Sequence, residues 1–188
     1  MRLFVAVELP EFMRERLDLL LSRLKRELTG PRWARAEGIH LTLRFLGEIN
    51  EADLPGLRAA LCSISGGAGQ RCEVKVEGLG LFPERGRPRV LWIGLHEKTG
   101  ALAALQLRVE SAVREAGLPG YKTEERSFHP HLTLARFGET KPSIPIRKFV
   151  ESKRAESLGA FEISSVALYQ RLLAPGGARY NIIQEYSL

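Results

Sequence analysis

Hydrophobic and polar residues alternate along some stretches of the chain and recur at helical spacing along others. Alternation over Leu3–Leu9 and Cys72–Leu81 predicts β-strands, because neighbouring side chains of a strand point to opposite faces. The more apolar segment Arg89–Leu95 is predicted as another strand. Apolar residues three and four positions apart predict helices over Glu11–Leu28 and Thr99–Ala116. The fold is therefore expected to contain both helices and strands.

Shorter patterns predict the remaining elements. Further strands are predicted over Arg32–Ala36, Ile39–Leu46, Phe128–Phe137, Phe161–Leu172 and Arg179–Tyr186. A second helix is predicted from Glu51 to about Ile64, with Asn50 as its N-cap, and a short one over 145–156.

Some consecutive strands are joined by short turn-forming segments, at Pro83–Pro88 and Pro175–Gly177, whereas others are separated by helices. This mixture favours an α+β fold with antiparallel sheet over a doubly wound parallel sheet. No linker or low-complexity tract divides the 188 residues. A chain of this length buries roughly 70% of its unfolded surface as one unit, so we expect a single domain over residues 1–188.

One segment occurs twice, and it carries the candidate chemistry. The tetrapeptide His40–Leu43 recurs as His131–Leu134, and six of nine positions agree between windows 40–48 and 131–139. On a strand, the histidine and the threonine share one face while the leucines occupy the other. Since core packing alone would preserve only the leucines, the repeat predicts two related lobes that face one cleft.

Two histidines across one cleft suit acid–base catalysis at a phosphodiester, because imidazole exists in both protonation states near neutral pH. Hydroxyls of Thr42 and Thr133 would donate to the non-bridging phosphate oxygens. A cation would complete the site without a metal. Arg44 lies on the histidine's face in a regular strand, whereas Arg136 reaches that face only if a bulge breaks the alternation.

Other residues allow different interpretations. His129 and His131 form a His-x-His pair, but no acidic residue stands at ligand spacing, so no metal site is predicted. Cys62 and Cys72 match neither a metal motif nor a disulfide framework, and reduced thiols in a cytoplasmic protein are expected.

The net charge of +6 and the isoelectric point near 9.6 favour an anionic partner such as nucleic acid or a nucleotide. Trp33 and Phe45 flank the first motif and are candidates for stacking on a nucleobase. The longest strongly apolar stretch, Val90–Leu95, is far too short to span a membrane, so no membrane partner is expected.

The segments His40–Gly47 and Pro130–Arg136 resemble the paired His-x-Thr signatures of the two-histidine phosphoesterase superfamily. More narrowly, the chain resembles the RNA 2′,3′-cyclic phosphodiesterases, formerly called 2′-5′ RNA ligases. The resemblance extends over most of the chain, including Arg2–Leu9, Trp33, Phe82-Pro83, Pro88–Trp92 and Leu168–Gln170. One departure follows Gln170, where the family usually has Ser-x-Leu and this chain has Arg171-Leu172-Leu173.

The resemblance implies a bilobed α+β fold in which two antiparallel sheets enclose a basic cleft. It implies hydrolysis of a terminal 2′,3′-cyclic phosphate to a 2′-phosphate, with neither metal nor cofactor. Carried over by position, it assigns His40, Thr42, His131, Thr133 and Arg136 to the site. It makes His40 the general acid for the 3′ oxygen and His131 the general base for water.

Two alternatives use the same residues. A non-catalytic module that binds RNA ends or nucleotides would keep the cleft but has no need of an acid–base pair. RNA 2′-5′ ligation is the reverse reaction, with an RNA hydroxyl in place of water. Expected partners are RNA ends with a 2′,3′-cyclic phosphate, such as tRNA halves, or cyclic nucleotides, and the expected state is a monomer.

Overall fold

The computed structural model describes residues 1–65, 71–123, 127–139, 142–174 and 177–188. The strands within these ranges are β1 Arg2–Val7, β2 Arg32–Trp33, β3 Leu41–Glu48, β4 Cys72–Phe82, β5 Val90–His96, β6 His131–Arg136, β7 Ser157–Ile163, β8 Ser165–Ala174 and β9 Gly177–Ser187. The α-helices are α1 Glu11–Glu27, α2 Leu54–Leu61, α3 Ala101–Glu115 and α4 Ile146–Ser152.

The strands form two antiparallel sheets, which confirms the predicted α+β class. The first has the order β3-β1-β8-β9 and the second the order β2-β6-β5-β4-β7. Each sheet carries one copy of the repeated motif, in β3 and in β6, and these two strands contact each other across the junction of the sheets. The predicted arrangement of two sheets around a central cleft is therefore present.

One hydrophobic core joins the two sheets and the helices. In β1, alternation sends Leu3, Val5 and Val7 into this core, where each is at most 2% exposed. Helix α1 adds one buried stripe, formed by Met13, Leu17, Leu20, Leu21 and Leu24. No helix in the described part of the chain is both long and apolar enough to cross a membrane.

Two predicted strands are wrong in extent, because the chain passes from one sheet to the other at these points. The pattern over Arg32–Ala36 gives only β2, and a 3-10 turn over Ala36–Gly38 then leads towards β3. The segment Phe161–Leu172 is broken at Ser164, so that its two parts lie in different sheets. At the second break the buried positions change from Phe161 and Ile163 to Val166 and Leu168, a shift in the alternation that the prediction of one strand overlooked.

The prediction of one helix from Glu51 to Ile64 is also wrong in detail. Only α2 is α-helical, and a 3-10 turn lies on each side of it. Pro55 lies in the first turn of α2, where its missing N–H leaves no hydrogen bond unmade. The side chain of Asn50 does not cap the backbone; its amide donates to the Asp53 carboxylate at 3.3 Å.

The closing hairpin is confirmed, since β8 and β9 pair along ten positions from Ser165–Ser187 to Ala174–Gly177. The predicted turn residues 175 and 176 lie outside the described residues.

A close approach between β4 and β5 gives a first prediction. Gly80 lies opposite Trp92, and a Cβ added to this glycine would lie 2.1 Å from the indole ring. Gly80→Ala is expected to displace the ring and lower the free energy of unfolding by about 1–3 kcal/mol, measured by urea denaturation. Gly56→Ala in α2 meets nothing within 4 Å and is the matched control, expected to be neutral or stabilising. Equal effects of the two substitutions would contradict the packing account.

Candidate active site

The repeated motifs occupy equivalent places in the two sheets. His131 begins β6, and His40 immediately precedes β3. In both strands the leucines of the motif are buried in the core and the histidine and threonine are half-buried on the opposite face. Since β3 and β6 contact each other, the two motifs lie on neighbouring strands at the junction of the sheets.

A bulge in β6 brings Arg136 to the polar face. Thr133 pairs with Trp92 of β5, and Arg136 pairs with Val90, so that Leu134 is the extra residue between these pairs. Because Trp92 and Val90 are two positions apart on one strand, their partners share one face. Arg136 is therefore on the side of His131 and Thr133, which a regular strand would not allow.

A bulge at the same place in β3 brings a different residue to the equivalent position. Ala6 pairs with Thr42, and Phe4 pairs with Phe45, so Phe45 shares the face of Thr42. The side chain of Phe45 is 63% exposed, and its ring centroid lies 6.1 Å from that of Phe4. Phe45 thus occupies in the first lobe the place that Arg136 occupies in the second.

The same bulge turns Arg44 away from the cleft. Arg44 is 6% exposed, and its Nε lies 3.1 Å from a carboxylate oxygen of Glu110 on α3. It also donates to the Lys122 carbonyl and stacks on the ring of Tyr121 at 5.1 Å. The placement of Arg44 on the histidine's face, expected for a regular strand, is wrong because the strand is not regular there.

Three aromatic rings surround His40. The ring of Phe4 stacks on the imidazole at 4.6 Å, and Tyr180 meets it edge-on at 5.0 Å. Tyr169 stacks in turn on Phe4 at 5.1 Å. This cluster lies on the face of the first sheet opposite the main core and holds the imidazole in an apolar setting. The sequence pattern did not indicate that these rings belong to the site.

His131 has a different setting. Phe82 meets its ring edge-on at 5.0 Å, and Trp92 lies 6.2 Å away. Its Nδ1 lies 2.7 Å from the carbonyl oxygen of His129. A carbonyl can only accept a hydrogen bond, so Nδ1 carries a proton and Nε2 of the neutral ring keeps its lone pair.

Burial makes both imidazoles harder to protonate. It lowers the pKa of His40 to about 4, against the opposing effect of a hydrogen bond with the Gly38 backbone. Burial also lowers the pKa of His131, opposed by its bond to His129 and reinforced by the positive charge of Arg136. Both rings are therefore neutral at pH 7 in the unliganded protein. A bound phosphate would shift both values upwards, because an anion stabilises the imidazolium form.

The remaining candidates lie elsewhere. Trp33 pairs with Ala135, whose side chain is buried, and packs against the main core on the face opposite Arg136. It is therefore not brought to the cleft with Phe45. The side chain of His129 is exposed and contacts the rings of Phe82 and Trp92. Among the described residues, no group of three His, Cys, Asp or Glu side chains is arranged to hold a metal ion.

Each half of the chain separately matches the same family of known proteins. Residues 7–92 and residues 93–180 each match the LigT-like phosphoesterase family, so that each match contains one motif. The chain belongs to the LigT-like phosphoesterase family.

Individual relatives match most or nearly all of the chain. The RNA 2′,3′-cyclic phosphodiesterase of Archaeoglobus fulgidus is 32% identical over 188 residues, which cover 99% of both chains. The enzyme of the same name from Aeropyrum pernix is 33% identical over 79% of this chain and 81% of its own. The resemblance found in the sequence is thereby confirmed.

Solved structures share the fold. A crystal structure of a Thermus thermophilus protein has a TM-score of 0.76 at 28% identity, and the match covers 100% of this chain and 98% of that one. The crystal structure of E. coli LigT also has a TM-score of 0.76, at 24% identity, over 99% of this chain and 96% of its own.

The half-buried, apolar position of His40 predicts a pH dependence of stability. The unfolded chain binds a proton on this residue near pH 6.5, whereas the folded chain binds it only near pH 4. Protonation therefore favours unfolding, and the stability contributed by neutral His40 is lost as the pH falls from about 6.5 to 4. The loss is at most roughly 2–3 kcal/mol.

Urea denaturation at pH 7 and at pH 4.5 measures this effect. His40→Gln should reduce the stability difference between the two pH values, because glutamine does not titrate. His96→Gln replaces an exposed histidine and should leave the difference unchanged. The same difference in His40→Gln as in the wild type would contradict the burial of His40.

Proposed function

We propose that this chain hydrolyses RNA-terminal 2′,3′-cyclic phosphates to 2′-phosphates, with His40 and His131 as the acid–base pair and with no metal. The observation that carries the proposal is the placement of two His-x-Thr motifs on contacting strands, one from each sheet. The names of the relatives from Archaeoglobus fulgidus and Aeropyrum pernix support the choice of substrate.

His131 is proposed as the general base. Its Nδ1–H donates a hydrogen bond to the His129 carbonyl, which leaves the Nε2 lone pair to accept a proton. In the reaction, Nε2 removes a proton from water while the water oxygen bonds to phosphorus. The burial that lowers the pKa of His131 keeps this base unprotonated at neutral pH.

His40 is proposed as the general acid. As the bond between phosphorus and the 3′ oxygen breaks, the His40 imidazolium donates its proton to that oxygen, which leaves a 3′-hydroxyl and a 2′-phosphate. The low pKa of free His40 makes the imidazolium scarce at pH 7 but strongly acidic. The negative charge of a bound phosphate raises this pKa, so substrate binding itself favours the reactive form.

The other motif residues are proposed to bind the phosphate. The hydroxyls of Thr42 and Thr133 lie on the faces of the two histidines and donate to the non-bridging oxygens, where charge develops in the transition state. Arg136 adds a positive charge on the same face of the second lobe. We further propose that residues 1–188 act as one domain, because one core contains residues of both sheets.

The activity itself gives the next prediction. The wild-type protein, treated with a chelator, should convert an oligoribonucleotide ending in a 2′,3′-cyclic phosphate into its 2′-phosphate. His40→Ala and His131→Ala should each lower kcat/KM by about 10²–10⁴-fold, because each removes one proton-transfer group. The exposed His96 provides the matched control His96→Ala, which should retain full activity.

Product analysis by phosphorus NMR distinguishes a 2′-phosphate from a 3′-phosphate. Binding without turnover would favour the non-catalytic module over the enzyme. Loss of activity in the chelator, restored by a divalent metal, would contradict the metal-free mechanism.

A modified substrate separates the two histidine roles. Sulphur in place of the bridging 3′ oxygen leaves as a thiolate, which needs little protonation. If His40 is the acid, the fold-reduction in kcat/KM caused by His40→Ala should be at least about ten times smaller on the sulphur substrate than on the oxygen substrate. His131→Ala should lose the same activity on both. The opposite pattern would reverse the assignment.

A further inference from the structure

The face of the first lobe carries an exposed aromatic ring beside the motif. Phe45 lies three residues beyond Thr42 on β3, at the position equivalent to Arg136, and most of its ring is open to solvent. Its inner side contacts the ring of Phe4, which orients it on the cleft face. An exposed ring of this kind offers a stacking surface for a nucleobase.

Arg171 lies on the same face, two strands from Phe45. It follows Tyr169 by two positions on β8, and it pairs with Arg2 on one side and with Tyr180 on the other. Tyr169 and Tyr180 belong to the aromatic cluster around His40, so Arg171 borders that cluster.

The charges around Arg171 are not balanced. Arg2 and Arg171 lie directly opposite each other on neighbouring strands, an arrangement in which like charges repel. Glu48 approaches Arg2 at 3.9 Å but also lies 3.6 Å from the Met1 ammonium, so this exposed carboxylate is shared between two cations. The buried Nε of Arg171 has no hydrogen-bond partner among the described residues. A bound anion would relieve the repulsion between the two arginines.

We propose that Phe45, Arg2 and Arg171 form a subsite for the RNA nucleotide that precedes the cyclic end. Phe45 stacks on its base, and the two arginines bind the phosphodiester that joins it to the terminal nucleotide. The inference rests on the proposed function, because the motif residues would hold the cyclic phosphate itself. It makes the preferred substrate an oligoribonucleotide rather than a cyclic mononucleotide.

The combination of residues favours RNA over a free anion. Single-stranded RNA is bound by aromatic side chains that stack on bases together with cations that follow the backbone. The first lobe presents both on one face, whereas the second lobe has Arg136 in place of the ring. The two copies of the repeat therefore differ at the position of Phe45 and Arg136. Arg136 would bind the reacting phosphate, and Phe45 would bind the preceding nucleotide of the RNA.

The test compares a dinucleotide that ends in a 2′,3′-cyclic phosphate with the corresponding cyclic mononucleotide. Wild-type kcat/KM should favour the dinucleotide by about tenfold or more, the scale of one stacked base and one paired phosphate. Arg171→Ser and Phe45→Ala should each reduce this ratio to below about threefold, mainly through KM. The dinucleotide KM of the wild type should also rise more steeply with salt than that of Arg171→Ser.

Arg179→Ser is the matched control. Arg179 lies on the same hairpin but pairs with Leu172, which places it on the other face, and its loss removes the same charge. The control should keep the wild-type ratio. A ratio near one in the wild type, or equal losses on both substrates in Arg171→Ser, would overturn the subsite.

Binding measurements separate this result from the function itself. The dissociation constants of the 2′-phosphorylated dinucleotide and mononucleotide should show the same preference and the same sensitivity to Arg171→Ser. If neither cyclic substrate is hydrolysed but the dinucleotide binds more tightly through Arg171, the proposed reaction fails and the subsite stands. Hydrolysis without any preference in binding would support the reaction and overturn the subsite.

Discussion

The burial of two leucines in each motif strand is the constraint on which the site depends. Leu41 and Leu43 in the first lobe and Leu132 and Leu134 in the second are all at most 4% exposed in one shared core. Because side chains alternate along a strand, burying these leucines directs each histidine and threonine to the other face. A slip of one residue in either strand would move the polar pair into the core, so hydrophobic burial fixes the register of the chemistry.

The two lobes share this scaffold but not the surroundings of their histidines. His40 is stacked against Phe4 and bordered by Tyr180, which strongly favours its neutral form. His131 lies near Arg136 and is held through Nδ1 by the backbone. Burial lowers the pKa of both imidazoles, but their hydrogen-bond partners and charged neighbours differ, and groups in different environments suit separate roles as acid and base.

Much of this arrangement was predictable from local sequence, because alternation and helical spacing are local signals. They located β1, β4, β5, α1 and α3, and the repeat located both histidines and both threonines. The face on which Phe4 lies could also be predicted, because alternation places it opposite the buried Leu3 and Val5. The contact of Phe4 with His40 could not be predicted, because it depends on pairing between strands far apart in the chain.

Other features depend on the assembled sheets. The bulges of β3 and β6 exchange the expected positions of Arg44 and Arg136, and a bulge leaves no mark in a pattern of apolar residues. The break at Ser164 separates two strands that were predicted as one, although the buried positions change from Phe161 and Ile163 to Val166 and Leu168 across it. Propensity and alternation describe single strands, whereas these features arise from how strands pair.

The central claim is that one histidine from each lobe acts on the same phosphate, and a double-mutant cycle tests it most directly. The measurement is kcat/KM on a cyclic-phosphate oligoribonucleotide for the wild type, His40→Ala, His131→Ala and the double variant. If the two imidazoles act as one unit, kcat/KM of the double variant should be within a few-fold of that of the less active single variant. Losses that multiply would mean that the histidines act independently, and would contradict the account.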